Sequence, residues 1–192
     1  MESIRIQKKQ GSIVEVLRNE ILSGRIPSGT EMTQNDLAQS LGVSRMPVRE
    51  ALILLEYQGL LVRLPNNHVR VAELTEQYLH SLFELSEELE REALNRLEDI
   101  GVLPDEVMPF HRILYENYPY SFQKKILESL VEIYVYYGTH CENYQKLNGE
   151  RKISEIKAAL QSQQKTAADI LLHHHLMEIK EAILVEREKI RC

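Results

Sequence analysis

Arg45 and Arg49 stand four residues apart just after Ser44, which places both guanidinium groups on one face of any helix that starts there. Each carries paired donors that match a phosphate or the major-groove edge of guanine, so the chemistry on offer is recognition of a nucleic acid. Arg63 and Arg70 follow on a weakly alternating apolar stretch, where they add phosphate or minor-groove contacts. Taken singly, each arginine serves as well as a solvated surface residue; the group gains meaning from the scaffold that carries it. A second set of groups lies farther along, where seven of the nine tyrosines fall between Tyr115 and Tyr144. Tyrosine buries a ring while keeping a hydroxyl for a polar ligand. Tyr115, Tyr134 and Tyr137 with His111 and His175 are therefore candidate walls of a small-molecule pocket. Bundle core or a subunit interface is the commoner use of such rings.

The elements that must hold the arginines are legible as helix, helix, helix, hairpin. Ile13, Val14, Leu17, Ile21 and Leu22 recur at helical spacing from Ser12, and Ser23-Gly24 ends the run. Thr33 with Asp36 three residues later is a variant capping box ahead of Leu37, Ala38 and Leu41, and Gly42 breaks that short helix. Ser44 then stands as a cap, with Pro47 in the first turn of a third helix whose buried face is Val48, Ala51, Leu52, Leu54 and Leu55. After Gly59, Leu60 to Leu64 and Val69 to Val71 read as a two-stranded ribbon around the turn Pro65-Asn66-Asn67-His68. Two helices joined by a tight turn and followed by a hairpin predict a winged helix-turn-helix, in which the helix from Ser44 enters the major groove.

Charge divides the chain at the same place. Residues 1–73 carry nine Lys/Arg and eight Asp/Glu, whereas residues 74–192 carry fourteen and twenty-one, within a total of -6. The whole chain is thus no polybasic coat, and DNA binding must come from a local patch. We expect a winged helix-turn-helix over residues 1–73 and an all-helical domain over 74–192, a mainly α fold. No apolar run approaches a membrane span and the start, MESIRIQKKQ, has no signal-peptide core, so a cytoplasmic protein is expected with no membrane partner. Cys141 and Cys192 lack metal-ligand or disulfide spacing and read as free thiols.

In the second half, Leu79, Leu82, Phe83, Leu85, Leu89, Ala93 and Leu97 mark a first long helix from Thr75 that Gly101 is expected to end. Pro104 opens a helix with Val107, Phe110, His111, Leu114 and Tyr115, and Ser121 starts another running to Tyr137. Asn148-Gly149 marks a turn before two more helices, about 153–163 and 166–190. Five helices with short links pack economically as an antiparallel bundle.

The segment ILSGRIPSGTEMTQNDLAQSLGVSRMPVREALILLEYQGLLVRLPNNHVRV, residues 21–71, resembles the DNA-binding domain of the GntR family of bacterial transcription regulators, with GVSRMPVREAL at residues 42–52 matching almost without interruption. The resemblance implies DNA contact by Ser44, Arg45 and Arg49. Three positions depart from the pattern. Asn35 stands where the family often has Arg, which weakens one backbone contact or changes base preference. Met46 stands at a position often held by Thr, turning a polar contact apolar. His68 replaces the frequent wing-tip Gly.

The second half is similar to the helical effector domain of the FadR-type branch, through FHRIL at residues 110–114 and AALQSQQKTAADILLHHHL at residues 158–176, although one family helix is missing. Many members of that branch hold a divalent metal with one Asp and three His. On this alignment His111 and His175 take two ligand positions, while Val107 and Ile153 stand at the other two. Half the set is gone, so the family's metal site is not predicted, and a divalent metal on the incomplete set of His111 and His175 stays only as an open alternative. Asp169, His173 and His174 are a weaker surface alternative. A family arginine that helps bind carboxylate effectors aligns with Ser86, which argues against an organic-acid ligand. The resemblance implies a homodimeric repressor on a near-palindromic double-stranded operator, controlled by a small-molecule effector, with a metabolite acid among the candidates. An effector-independent architectural dimer is the alternative. A metal-dependent enzyme fused to a DNA anchor fares worse, because no Glu-x-x-His pair, nucleophile elbow or phosphate loop occurs.

Overall fold

The computed structural model describes residues 12–145 and 149–191, so Asn148, expected at a turn, and Cys192 lie outside the described residues. The chain forms two compact units, residues 1–75 with 187–192, and residues 76–186. The sequence reading assigned all of 74–192 to the second domain; residues from Arg187 onward instead group with the first unit.

In the first unit, α1 (Ile13–Ser23) opens on a full capping box: Ser12 accepts from the Glu15 amide while the Glu15 carboxylate accepts from the Ser12 amide. It ends at Gly24, whose φ of 84° is the left-handed conformation that glycine adopts without steric cost. Arg187 closes the same helix end. Its guanidinium, buried, donates to the carbonyl oxygens of Ile21 and Leu22 at 3.0 Å each in the last turn, where Ile21 also accepts from the Gly24 amide. α2 (Gln34–Leu41) starts at Thr33, whose hydroxyl accepts from the Asp36 amide, and stops at Gly42 with φ 66°. α3 (Arg45–Tyr57) buries Val48, Ala51, Leu52 and Leu55. Two details differ from expectation. Leu54 is half exposed rather than part of that face, and Ser44 has cap geometry without a side-chain cap hydrogen bond.

The ribbon is three-stranded rather than two-stranded. β2 (Leu61–Arg63) and β3 (Val69–Val71) pair as expected, and β1 (Glu31–Met32) adds to the far edge of β3 in the order β1-β3-β2. All pairs are antiparallel, with Met32 opposite Val69 and Val62 opposite Arg70. Alternation sends Val69 and Val71 inward and leaves Arg70 exposed.

The second unit is helical throughout. α4 (Glu76–Arg96) ends at Arg96, and Gly101 sits in a separate short turn, Ile100–Val102, rather than ending that helix. α5 (Val107–Glu116) begins after Glu106, three residues beyond the expected start at Pro104. α6 (Ser121–Leu130) continues through a π-helical turn, Val131–Val135, into α7 (Tyr136–Thr139). A four-residue α8 (Glu142–Gln145) follows, which periodicity is too short to reveal. α9 (Gly149–Gln161) and α10 (Lys165–Arg191) complete the chain. Ala168, Leu172, His175, Leu176, Ile179, Ala182 and Ile183 recur every three or four residues on α10, and all are buried. Phe83 and Phe110 are fully buried opposite numbers from α4 and α5, each contributing about 1.5–3 kcal/mol by removal from water. Leu85, expected on the inner face of α4, is exposed.

Candidate nucleic-acid interface and buried histidine pair

A cleft of about 500 Å³ opens in the first unit between the start of α2, the start of α3 and the tip of the β2–β3 hairpin. Asn35, Arg45, Arg49, Arg63 and His68 all line it, together with Thr33, Gln34, Asn66 and Asn67. The helix-turn-helix delivers the first three. Gly42 turns the chain sharply after α2, and Pro47 fits the first turn of α3, where its missing amide has no helical partner to lose. The hairpin delivers the rest. Its tip is closed by Leu64 N–H to the His68 carbonyl at 2.9 Å, with Asn67 at φ 61° and the Asn66 side chain accepting from the His68 amide.

The charges in this cleft are unevenly committed. Arg63 is held by Glu56 at 2.7 and 2.8 Å, so its charge is largely neutralised. Among the described residues Arg45 donates only a long 3.4 Å hydrogen bond, to the Asn35 side chain. Arg49 is exposed and, among the described residues, has no hydrogen-bond or ion-pair partner. Two guanidinium groups on one helical face thus point into a concavity with no acid to satisfy them, and the uncapped first amides of α3 add positive character beside them. Such an arrangement suits a polyanion. Ser44 and Met46 are exposed beside the cleft without lining it, and Arg70 lies exposed on β3 away from it.

In the second unit His111 and His175, 64 residues apart in sequence, are both fully buried with Nε2 atoms 3.1 Å apart and rings stacked at 10°. His111 Nδ1 lies 2.9 and 3.0 Å from the two oxygens of Glu90, itself fully buried and receiving a hydrogen bond from Ser86. Burial, then the neighbouring His111 and Lys152, hold His175 well below the usual imidazole range. Among the described residues its Nδ1 has no hydrogen-bond partner, and neither has the buried hydroxyl of Tyr144, whose ring meets His175 edge-on at 6.1 Å. Burial pushes the Tyr144 and Tyr134 phenols up.

The other predicted pocket residues divide. The Tyr115 hydroxyl donates to Glu132 at 3.0 Å, and burial with that bond raises its pKa to about 12. Glu132 also receives Arg112 at 2.6 and 2.9 Å. Tyr134 is buried on the π-helical turn, and Tyr137 is half-buried on α7. Sequence reading missed Glu90 and Tyr144. The signal for Glu90 was present, since it shares the row of Phe83, Ala93 and Leu94 on α4, a carboxylate on an apolar stripe.

The residues do not fit a divalent metal. Val107 and the fully buried Ile153 bring no donor atom, which leaves two nitrogens where a structural or catalytic ion takes three or four protein ligands. The two Nε2 atoms face each other at hydrogen-bond distance. Among the described residues no group of three or more His, Cys, Asp or Glu is arranged to hold a cation. The surface alternative is also spent: His173 pairs with Glu87 at 2.7 Å, and Asp169 faces Arg91 at 3.8 Å.

Comparison with known proteins agrees with this geometry. Residues 9–71 match the family model of bacterial regulatory proteins, gntR family. The gluconate operon transcriptional repressor of Bacillus subtilis is 38% identical over 88 residues, 46% of this chain and 36% of the repressor. An HTH-type transcriptional regulator of Mycobacterium tuberculosis is 40% identical over 53 residues, 28% of this chain and 22% of that protein. The aligned part thus spans well under half the length of these curated relatives. Two solved structures share the fold across nearly the whole chain. Lar, which controls expression of the Listeria monocytogenes agr system, gives a TM-score of 0.59 at 17% identity, covering 93% of this chain and 99% of its own. McbR/YncC of E. coli gives 0.54 at 20% identity, covering 98% and 99%. The helix-turn-helix and its wing thus lie within the stretch, residues 9–71, that is similar to the gntR family of bacterial regulatory proteins.

Proposed function

We propose that this chain is a sequence-specific DNA-binding transcription regulator that acts as a homodimeric repressor in the cytoplasm and is not an enzyme. The observation that carries the reading is the pair Arg45 and Arg49, without acidic partners among the described residues, in a cleft bounded by α3 and the wing. In this reading α3 enters the major groove, Arg45 and Arg49 take guanine edges or phosphates, Ser44 and Asn35 take backbone oxygens, and His68 with Arg63 approaches at the wing. One such helix spans only a few base pairs, so a two-fold dimer on a near-palindromic operator supplies useful specificity. No helix among the described residues is long and apolar enough to cross a membrane.

The helical unit is proposed as the effector module. The orphaned His175 Nδ1 and Tyr144 hydroxyl support a small polar ligand there, recognised without a metal. A ligand bound there would favour a dimer geometry whose recognition helices no longer match the half-site spacing. The alternative, an effector-independent dimer, is favoured by the internal hydrogen bonding of Glu90 with His111 and of His111 with His175. Selection of bound fragments from genomic DNA, followed by polarisation titrations at increasing salt, tests the DNA reading. We expect a discrete operator and affinity that falls steeply with salt despite the acidic chain, because phosphate contacts release counterions. Recovery of no fragment would overturn it. A thermal-shift screen of metabolites against the full chain separates the effector module from the alternative.

A further inference from the structure

The exposed start of α3 carries two adjoining ridges of different chemistry. Arg45 and Arg49, one helical turn apart, line the cleft beside the wing. Met46 and Glu50, also one turn apart, form the next ridge; both are exposed, Met46 by 62%, and neither lines the cleft. No hydrogen bond or ion pair engages Glu50 among the described residues. A thioether offers a phosphate no donor, and a carboxylate one turn on repels it, so this second ridge is unsuited to the DNA backbone. Base edges suit it better. In the major groove the one apolar protrusion is the C5 methyl of thymine, and an apolar side chain on a reading helix discriminates by covering it. Met46 is well shaped for this, unbranched and polarisable, and able to settle against a methyl without strain.

Resting on the DNA reading above, we propose that Met46 is a specificity-determining residue that reads the thymine C5 methyl in each operator half-site, beside the guanine contacts of Arg45 and Arg49. The test uses the full chain and an operator recovered from genomic DNA. Each thymine of a half-site is replaced in turn by deoxyuridine, which deletes the methyl and keeps the base pair, and affinity is read by fluorescence polarisation. Loss of one buried methyl corresponds to about a fourfold weakening. The expected result is one sensitive position per half-site, weakened about fourfold for the unaltered protein and unchanged for Met46→Ala. Because Met46 is exposed, that variant keeps its circular dichroism spectrum and its salt slope. Tight operator binding with no sensitive thymine, or equal sensitivity in Met46→Ala, overturns the proposal and leaves the DNA reading standing. A chain that selects no DNA overturns both.

Discussion

His111 turns one ring nitrogen to Glu90 and the other to His175, with Nδ1 2.9 Å from a carboxylate oxygen and Nε2 3.1 Å from the second imidazole. All three side chains are fully buried. A carboxylate on the far nitrogen fixes the orientation of His111, as it does for imidazoles that carry ions, yet here the near nitrogen meets another ring. The chain ends at His175 Nδ1, a buried atom with no hydrogen-bond partner among the described residues.

That arrangement makes stability depend on pH in a defined direction. Burial, His111 and Lys152 depress the pKa of His175, while the unfolded chain protonates it near the ordinary value of 6.5. Below that pH the unfolded state binds more protons than the folded state, so stability falls as the pH drops. The groups facing His175 are His111, Lys152 and Tyr144, with Glu90 behind His111. Urea titrations from pH 7 to pH 5 should show a loss of up to about 1.4 kcal/mol per pH unit from this one group. His175→Gln should flatten that part of the slope. Equal slopes in the two proteins would refute the assignment.

Arg49→Ala should weaken operator binding by about 1–3 kcal/mol and leave the melting temperature unchanged, since the side chain is exposed and has no hydrogen-bond or ion-pair partner among the described residues. Polarisation titration alongside thermal melting reads both quantities. Unchanged affinity would remove α3 from the DNA interface.

Gly138 lies where α7 presses on α10. An added Cβ would meet the Ile179 side chain and come within 2.8 Å of the Ile179 carbonyl oxygen, backbone that cannot step aside. Alanine ordinarily improves a helix by about 0.5–1 kcal/mol over glycine. Here overpacking should reverse the sign, with Gly138→Ala less stable by about 1–3 kcal/mol in a denaturant titration.

Arg187→Met keeps the aliphatic stem and deletes the donors to Ile21 and Leu22. Bonds from a charged donor to buried acceptors are worth about 1.5–3 kcal/mol, and we expect a loss of about 2 kcal/mol. Hydrogen exchange localises it: the amides of α1 should lose protection most. Uniform loss across all helices would argue against a local capping role.

The strong features of this fold are written in local sequence. Ser12 with Glu15, Thr33 with Asp36, and the glycines at 24 and 42 announce helix ends through chemistry that acts over three or four residues. The side-by-side placement of Arg45 and Arg49 was legible for the same reason, because the two need only a helix to come together. What escaped notice depends on distant partners. Glu31 and Met32 become a strand only through β3, with a pattern too short to show a period. Glu90 stands out in sequence only as a carboxylate on the apolar row of α4, and its partner becomes evident when His111 arrives from another helix. Ser44 looks like a cap, but its hydroxyl makes no cap bond. Gly101 suggested a helix end, whereas α4 had already stopped at Arg96.

The discontinuity of the first unit in sequence affects its birth on the ribosome. Thr75 emerges roughly a hundred residues ahead of Arg187, a delay of about 5–20 s at ordinary elongation speeds. For that interval the nascent winged domain lacks the guanidinium that seals α1, and it is finished only after the bundle helices have been made. Vectorial synthesis thereby orders maturation, with the unit encoded first waiting for Arg187 to follow the bundle helices.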